Sequence, residues 1–147
     1  MKLYVKNPIV LALFCVMAGM FMTVSFLETP MKFQVQGMTL PVALELGKLM
    51  FAISTNIQAI LLILIVISML MSRSVYTKVD FSIISILIFI LLLEKFWMLP
   101  VLDERVDLLL SGKSLSPTPL HDYFIDAEIT KAIMITAAIF FQFKKAI

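Results

Sequence analysis

Four ionisable side chains within or beside apolar segments are candidates for chemistry: Glu28, Glu94, His121 and Glu128. Three carboxylates and an imidazole suit iron, manganese or zinc, and helical bundles build such sites from inward-facing side chains. The chain, however, has one histidine and no Glu-x-x-His pair. His121 and Glu128 also lie about 10 Å apart along a helix axis. A metal ion held by Glu94, His121 and Glu128 is therefore one hypothesis, and the sequence requires no cofactor.

A pocket of mutually compensating ion pairs is the other hypothesis for these side chains. A charge at the lipid-facing centre of a membrane helix costs about 2.5–3.5 kcal/mol, so we expect acids and bases to face inward and pair. We expect Glu94 and Glu128 to lie near Lys131, and Glu28 to lie near Lys48, Lys95 or Lys131. The candidate residues of this ligand or ion-pair pocket are Glu28, Lys48, Asn56, Glu94, His121, Glu128 and Lys131.

The depth of these side chains supports a shared site. At about 1.5 Å per residue from the predicted inner helix ends, Asn56, Glu94 and Glu128 all lie about 20 Å up. His121 and Glu128 follow an i, i+7 spacing, which puts both on one helix face. We therefore expect one polar level in the outer third of the molecule.

Apolar segments must hold this site, because 61% of the 147 residues are apolar and only 15% are charged. Such a composition is typical of a membrane protein, and about 20 apolar residues suffice for one crossing. We predict an all-α fold: an integral membrane four-helix bundle in one transmembrane domain, 1–147. The predicted spans are 8–27, about 41–71 with its lipid-spanning part at 49–71, 81–99 and about 119–143.

Two connections carry further predictions. Pro30 is expected to end the first helix, since proline disfavours helical geometry at the residue before it. The outer loop 100–118 is expected to contain a short amphipathic helix between helices 3 and 4, because apolar residues recur there every third or fourth position. Thr118 and Pro119 then resemble the start of the fourth helix.

Charge predicts the orientation of the chain. Four crossings put both termini and the loop 72–80 on one side, which carries one acid, Asp80, and six bases: Lys2, Lys6, Arg73, Lys78, Lys144 and Lys145. The other side has three bases once those within helices are left out. The positive-inside rule then makes both termini cytoplasmic in a bacterial inner membrane. A net charge of +2 argues against a nucleic-acid partner.

Three stretches resemble a known group: GMFMTVSFLETPMKFQVQGMTLPVALELGKLMF, LPVLDERVD and PLHDYFIDAEITKAIMI. They are similar to a family of bacterial four-helix membrane proteins that is distantly similar to the transmembrane-protein-205-like proteins. The resemblance implies a four-helix architecture but no activity. It also implies an arginine where Lys48 stands and an acid near Gln58. The implied motif positions are Glu28, Pro30, Lys32, Gly47, Asn56, Asp103, His121, Glu128 and Lys131.

These observations predict a small multi-pass membrane protein that is a non-enzymatic binding or accessory subunit, with a polar pocket open to the extracytoplasmic side. Its expected surroundings are the lipid bilayer and a larger membrane complex or homo-oligomer. The alternative is a metal-dependent membrane oxidoreductase or a transporter of a metal ion or small solute. The inner half of the chain, for example ILLILIVISML, is apolar and has no second gate, which argues against transport.

Overall fold

Helices make up most of the computed structural model, which describes residues 3–145. Within that range the backbone forms four helices and two short strands. The helices are α1 (Pro8–Lys32), α2 (Leu40–Met71), α3 (Lys78–Leu110) and α4 (Leu120–Phe140), and the strands are β1 (Leu3–Val5) and β2 (Phe143–Lys145). Of the helices in the described range, α1, α2 and α3 are long and apolar enough to cross a membrane.

The four helices pack side by side in a closed ring. Helix α1 contacts α2 and α4, and α3 completes the ring by contacting the same two helices. The buried centre is apolar, with Phe14, Phe21 and Ile65 among its most enclosed side chains. The outside is also apolar, as Phe89 and Phe140 illustrate with 64% and 71% exposure. Helices that are apolar on every side are typical of membrane spans.

Prolines do not end α1 or α3, so the prediction that Pro30 terminates the first helix is wrong. Each proline follows a π-helical segment, Thr23–Glu28 before Pro30 and Glu94–Met98 before Pro100. The amides of Thr29 and Leu99 bond the carbonyls five residues back. The wider π turn leaves room for the proline ring and does without the missing proline N–H, so both helices continue.

The amphipathic helix predicted in the loop 100–118 exists, but it is the last part of α3. Residues Leu99–Leu110 continue the helix without a break, and only 111–119 connect it to α4. Thr118 oxygen accepts the Leu120 amide at 3.4 Å, and α4 starts at Leu120. At its other end α4 stops at Phe140, because the chain turns there to enter β2.

Polar side chains close the end of the molecule where the two termini meet. Strands β1 and β2 pair in antiparallel fashion, with Tyr4 opposite Lys144. The Lys6 ammonium donates to both oxygens of Asp80 at 2.8 Å, and Asp80 also accepts from the Thr77 amide at the start of α3. Both side chains of the Lys6–Asp80 pair are buried. We call this the terminal end; Lys2, counted in the charge argument above, lies outside the described residues.

Tyr76 belongs to the same terminal end. Its burial, together with the negative charge of Asp80, raises the pKa of Tyr76 to about 12. The phenol is therefore neutral at physiological pH and donates a hydrogen bond to Gln142 Oε1 at 3.2 Å. This bond ties the connection between α2 and α3 to the chain beyond α4.

A Lys6→Met substitution is predicted to destabilise the protein by about 3–5 kcal/mol, because it leaves the Asp80 carboxylate buried without its base. The measurement is unfolding temperature in mild detergent. A Lys6→Met, Asp80→Asn double variant removes both charges and should recover much of the loss. Equal stability of wild type and the single variant would contradict the prediction.

Candidate functional site

Lys131 lies between two carboxylates in the interior. Its ammonium donates to Glu94 Oε2 at 2.5 Å and forms an ion pair with Glu128 Oε1 at 2.6 Å. The side chain of Lys131 is only 2% exposed and that of Glu94 only 1%. Glu94 comes from α3, whereas Glu128 and Lys131 are one turn apart on α4. Lys131 therefore joins α3 to α4, in the pairing that the sequence analysis expects.

Helices α1 and α2 complete the surroundings of this ammonium. Gln58 Oε1 of α2 accepts from Lys131 at 3.3 Å, and Gln58 Nε2 donates to Ser54 Oγ at 3.1 Å. The ring of Phe21 from α1 lies 4.8 Å from the ammonium, within the range of a cation–π contact. We call Gln58, Glu94, Glu128 and Lys131 the Lys131 cluster. All four helices thus meet at one buried cation.

Acids outnumber bases in the Lys131 cluster, with two carboxylates against one ammonium. Glu94 Oε1 and Glu128 Oε2 are buried and have no hydrogen-bond partner among the described residues. Leaving buried polar atoms without partners costs about 1–3 kcal/mol each, and more when they are charged. The cluster is therefore a strained polar centre in an apolar interior.

Glu28 pairs with Lys32, a base that the sequence analysis did not consider as its partner. Glu28 Oε2 lies 3.7 Å from Lys32 Nζ, one helical turn away on α1. The other expected bases pair elsewhere: Lys48 Nζ bonds Asp107 at 2.5 Å and Lys95 Nζ bonds Asn56 at 2.6 Å. The i, i+4 spacing of Glu28 and Lys32 favours this pair within one helix. The pair was not predicted, because α1 was expected to end at Pro30 and Lys32 would then lie outside the helix.

A cavity of about 530 Å³ opens beside the Lys131 cluster, at the end of the molecule opposite the termini. All four helices line it, and most of its lining side chains are apolar. Leu102, Val106 and Leu109 form one stripe of α3 in the wall, and His121, Ile125 and Glu128 form one stripe of α4. The pocket predicted as polar is thus amphipathic. Its charged lining residues are Lys32, Lys48, Asp103, Arg105 and Glu128.

The seven predicted pocket residues divide among four places. Glu94, Glu128 and Lys131 form the buried cluster. Lys48, His121 and Glu128 line the cavity. Asn56 lies with Lys95 in a smaller recess between α2 and α3, and Glu28 lies beside Lys32. Glu128 is therefore the residue that connects the cluster with the cavity.

The structure does not assemble the metal set Glu94, His121 and Glu128. Between residues 3 and 145, no three His, Cys, Asp or Glu side chains converge to hold a metal ion. Lys131 Nζ lies between the two glutamates, where an ion bridging them would need to sit. The positive charge that these carboxylates need thus comes from the chain itself.

Sequence reasoning missed three contributors to the site. Gln58 and Ser54 are uncharged, and their role depends on facing Lys131 across the helix ring. Lys32 was expected beyond the end of the first helix, yet it is only 7% exposed. A signal for Gln58 was present, since the family resemblance implies an acid near that position. No family profile, curated protein or solved structure matches this chain, so that resemblance stays a prediction.

A Lys131→Met substitution is predicted to cost about 3–5 kcal/mol of folding stability, because it leaves two carboxylates buried without a base. Glu128→Gln should be at least as stable as wild type, since it removes the excess negative charge and leaves the Lys131–Glu94 pair. Lys95→Met, which removes a lysine outside the cluster, serves as the control. Unfolding temperatures in detergent measure all three. A Lys131→Met protein as stable as the control would contradict this reading.

Proposed function

We propose that this chain is an integral membrane four-helix bundle in which α4 is the fourth crossing. Its charges support this arrangement, because Glu128 and Lys131 are buried against the other helices and the exposed Asp122 and Asp126 lie in its first two turns, at the cavity end. Its outward side chains are apolar, with Ile129 and Ile133 at 44% and 59% exposure. A helix that hides its ion pairs inside the ring avoids exposing charge to lipid.

We further propose that both termini are cytoplasmic and that the cavity faces the extracytoplasmic side of a bacterial inner membrane. The terminal end carries Arg73, Lys78 and Lys144, all exposed. The cavity end carries most of the acids. This distribution is the one that the positive-inside rule favours for a terminal end in the cytoplasm.

Cysteine labelling tests this orientation. Cys15 is the single cysteine and is exposed, so Cys15→Ser provides a silent background. Ser114→Cys on the connection between α3 and α4 should react with a membrane-impermeant maleimide on intact spheroplasts. Ser74→Cys at the terminal end should react only after the membrane is opened. The reverse pattern would overturn the orientation, and labelling of both sites from outside would overturn the four crossings.

For function, we propose a non-enzymatic binding protein or accessory subunit that holds a small lipophilic ligand in the cavity. The observation that carries this proposal is the cavity itself. Its volume of about 530 Å³ lies within the range of about 300–1,000 Å³ typical of small-molecule sites. Its apolar walls with a few polar groups also match the usual composition of such sites. Glu94 and Glu128 are engaged with Lys131, which favours a binding role over catalysis.

Native mass spectrometry of protein released from mild detergent tests the binding function. Wild type should retain a small-molecule adduct at about one per chain. Val106→Trp should lose it, because Val106 lines the cavity and the indole would fill the space. Val101→Trp is the matched control, since Val101 lies on the same helix but is 37% exposed and outside the cavity lining. Absence of any adduct, or equal adducts in both variants, would count against the proposal.

A further inference from the structure

The buried lysines of this protein differ in whether their ammonium groups have hydrogen-bond acceptors. Lys6 and Lys131 each bond carboxylate oxygens at 2.5–2.8 Å. Lys32 is equally enclosed, with a side chain only 6% exposed, but its nearest carboxylate oxygen is 3.7 Å away. In the part of the chain that the structure describes, no side chain or carbonyl accepts a hydrogen bond from Lys32 Nζ. This ammonium therefore has three unused donors.

Lys32 lies in the wall of the 530 Å³ cavity, and the fold makes room for its ammonium there. Gly47 of α2 faces it, and a Cβ at this position would lie 2.8 Å from Lys32 Nζ. Any larger residue at position 47 would displace the ammonium. Ser25 and Thr29 share this face of α1 at the i, i+4, i+7 spacing and also line the cavity. The wall thus holds a buried cation of α1 that faces a glycine of α2.

The other charges of the cavity do not neutralise Lys32. Glu128 pairs with Lys131 at 2.6 Å, and Asp103 shares a smaller recess with Lys48. Lys48 and Arg105 already bond Asp107 and the Ser116 carbonyl. Glu28 is the acid nearest to Lys32, but it lies 3.7 Å away and accepts no hydrogen bond from it, so an anionic ligand group would supply the acceptor that Lys32 Nζ lacks. A buried ammonium and an anion form a strong, charge-assisted hydrogen bond.

The rest of the cavity favours a hydrocarbon chain. Phe51, Leu102 and Phe124 are among the apolar side chains of its wall. A free inorganic anion would leave this surface without contacts, whereas an acyl chain would cover it. A bilayer supplies amphiphiles of this type at high local concentration.

We propose that the cavity binds a single-chain anionic amphiphile, with its carboxylate or phosphate head on Lys32 and its hydrocarbon chain against the α3 and α4 walls. This inference rests on the proposed binding function and specifies its ligand class. Lys32 selects the head group. The stripe of Leu102, Val106 and Leu109 contacts the chain.

Photolabelling tests this assignment. The probe is a stearate carrying a diazirine in mid-chain, added to protein in lipid nanodiscs, with saturable labelling measured on the intact mass. The methyl ester of the same probe keeps the chain and removes the charge. We expect the carboxylate to label about tenfold more strongly than the ester, as one charge-assisted hydrogen bond predicts. Competition by oleate and by oleyl phosphate separates a carboxylate from a phosphate preference.

Variants separate the head-group assignment from the binding function. Lys32→Met should reduce saturable labelling by the carboxylate probe about tenfold, to the level of the ester. Lys95→Met should leave it unchanged, because Lys95 lies outside this cavity. Loss of labelling in Val106→Trp with no loss in Lys32→Met would overturn the role of Lys32 but keep the binding function. Labelling that resists Val106→Trp would overturn the binding function itself.

The comparison of carboxylate with ester uses wild-type protein, so it remains decisive if Lys32→Met fails to fold. Equal saturable labelling by the two probes would overturn the preference for an anionic head. Competition by oleylamine as strong as that by oleate would do the same, because an ammonium head should be repelled by Lys32.

Discussion

Charge buried in an apolar interior must find a partner inside the protein, and this constraint organises the whole molecule. Lys131 meets it by joining Glu94 and Glu128, while Gln58 of α2 accepts from it and Phe21 of α1 packs over it. Removing the base, Lys131, would leave both carboxylates in an environment that cannot solvate them. The ring of helices is therefore held by one polar centre as well as by its apolar core. Such a centre also fixes the rotation of each helix, because a helix turned away from it would leave a buried charge without a partner.

Each of the two π-helical segments contains a buried or half-buried glutamate. Glu94 begins one segment and Glu28 ends the other, and each segment precedes a proline that the helix then accommodates. A π turn shifts the following residues around the helix axis relative to a regular α-helix. The same local feature thus carries both helices past their prolines. Segments of this kind often mark functional sites.

The two ends of the molecule solve the same electrostatic problem differently. At the terminal end, Lys6 and Asp80 are fully matched, and the termini pair as strands across them. At the opposite end, Lys32 lacks a close acceptor, several carboxylate oxygens have no partner among the described residues, and a cavity separates the helices. Among the described residues, the two ends of the molecule therefore differ: the charged groups of the terminal end have their hydrogen-bond partners, whereas several of those at the cavity end do not. We expect a ligand to bind at the cavity end, where these polar groups still lack hydrogen-bond partners.

Local pattern in the sequence was sufficient for the helical class, the apolar spans and the meeting of Glu94 and Glu128 with Lys131. The first two depend on hydropathy and helical periodicity within each segment, and the third follows from the cost of leaving a buried charge unpaired. The tertiary structure decided the passage of α1 through Pro30, the pairing of Glu28 with Lys32 and the pairing of Lys48 with Asp107. It also created the cavity and placed Gly47 beside Lys32. The cavity and the contacts between helices depend on which side chains face each other across the ring, and spacing along one helix does not determine that. The Glu28–Lys32 pair depends on α1 continuing past Pro30, against the local preference of the residue before a proline.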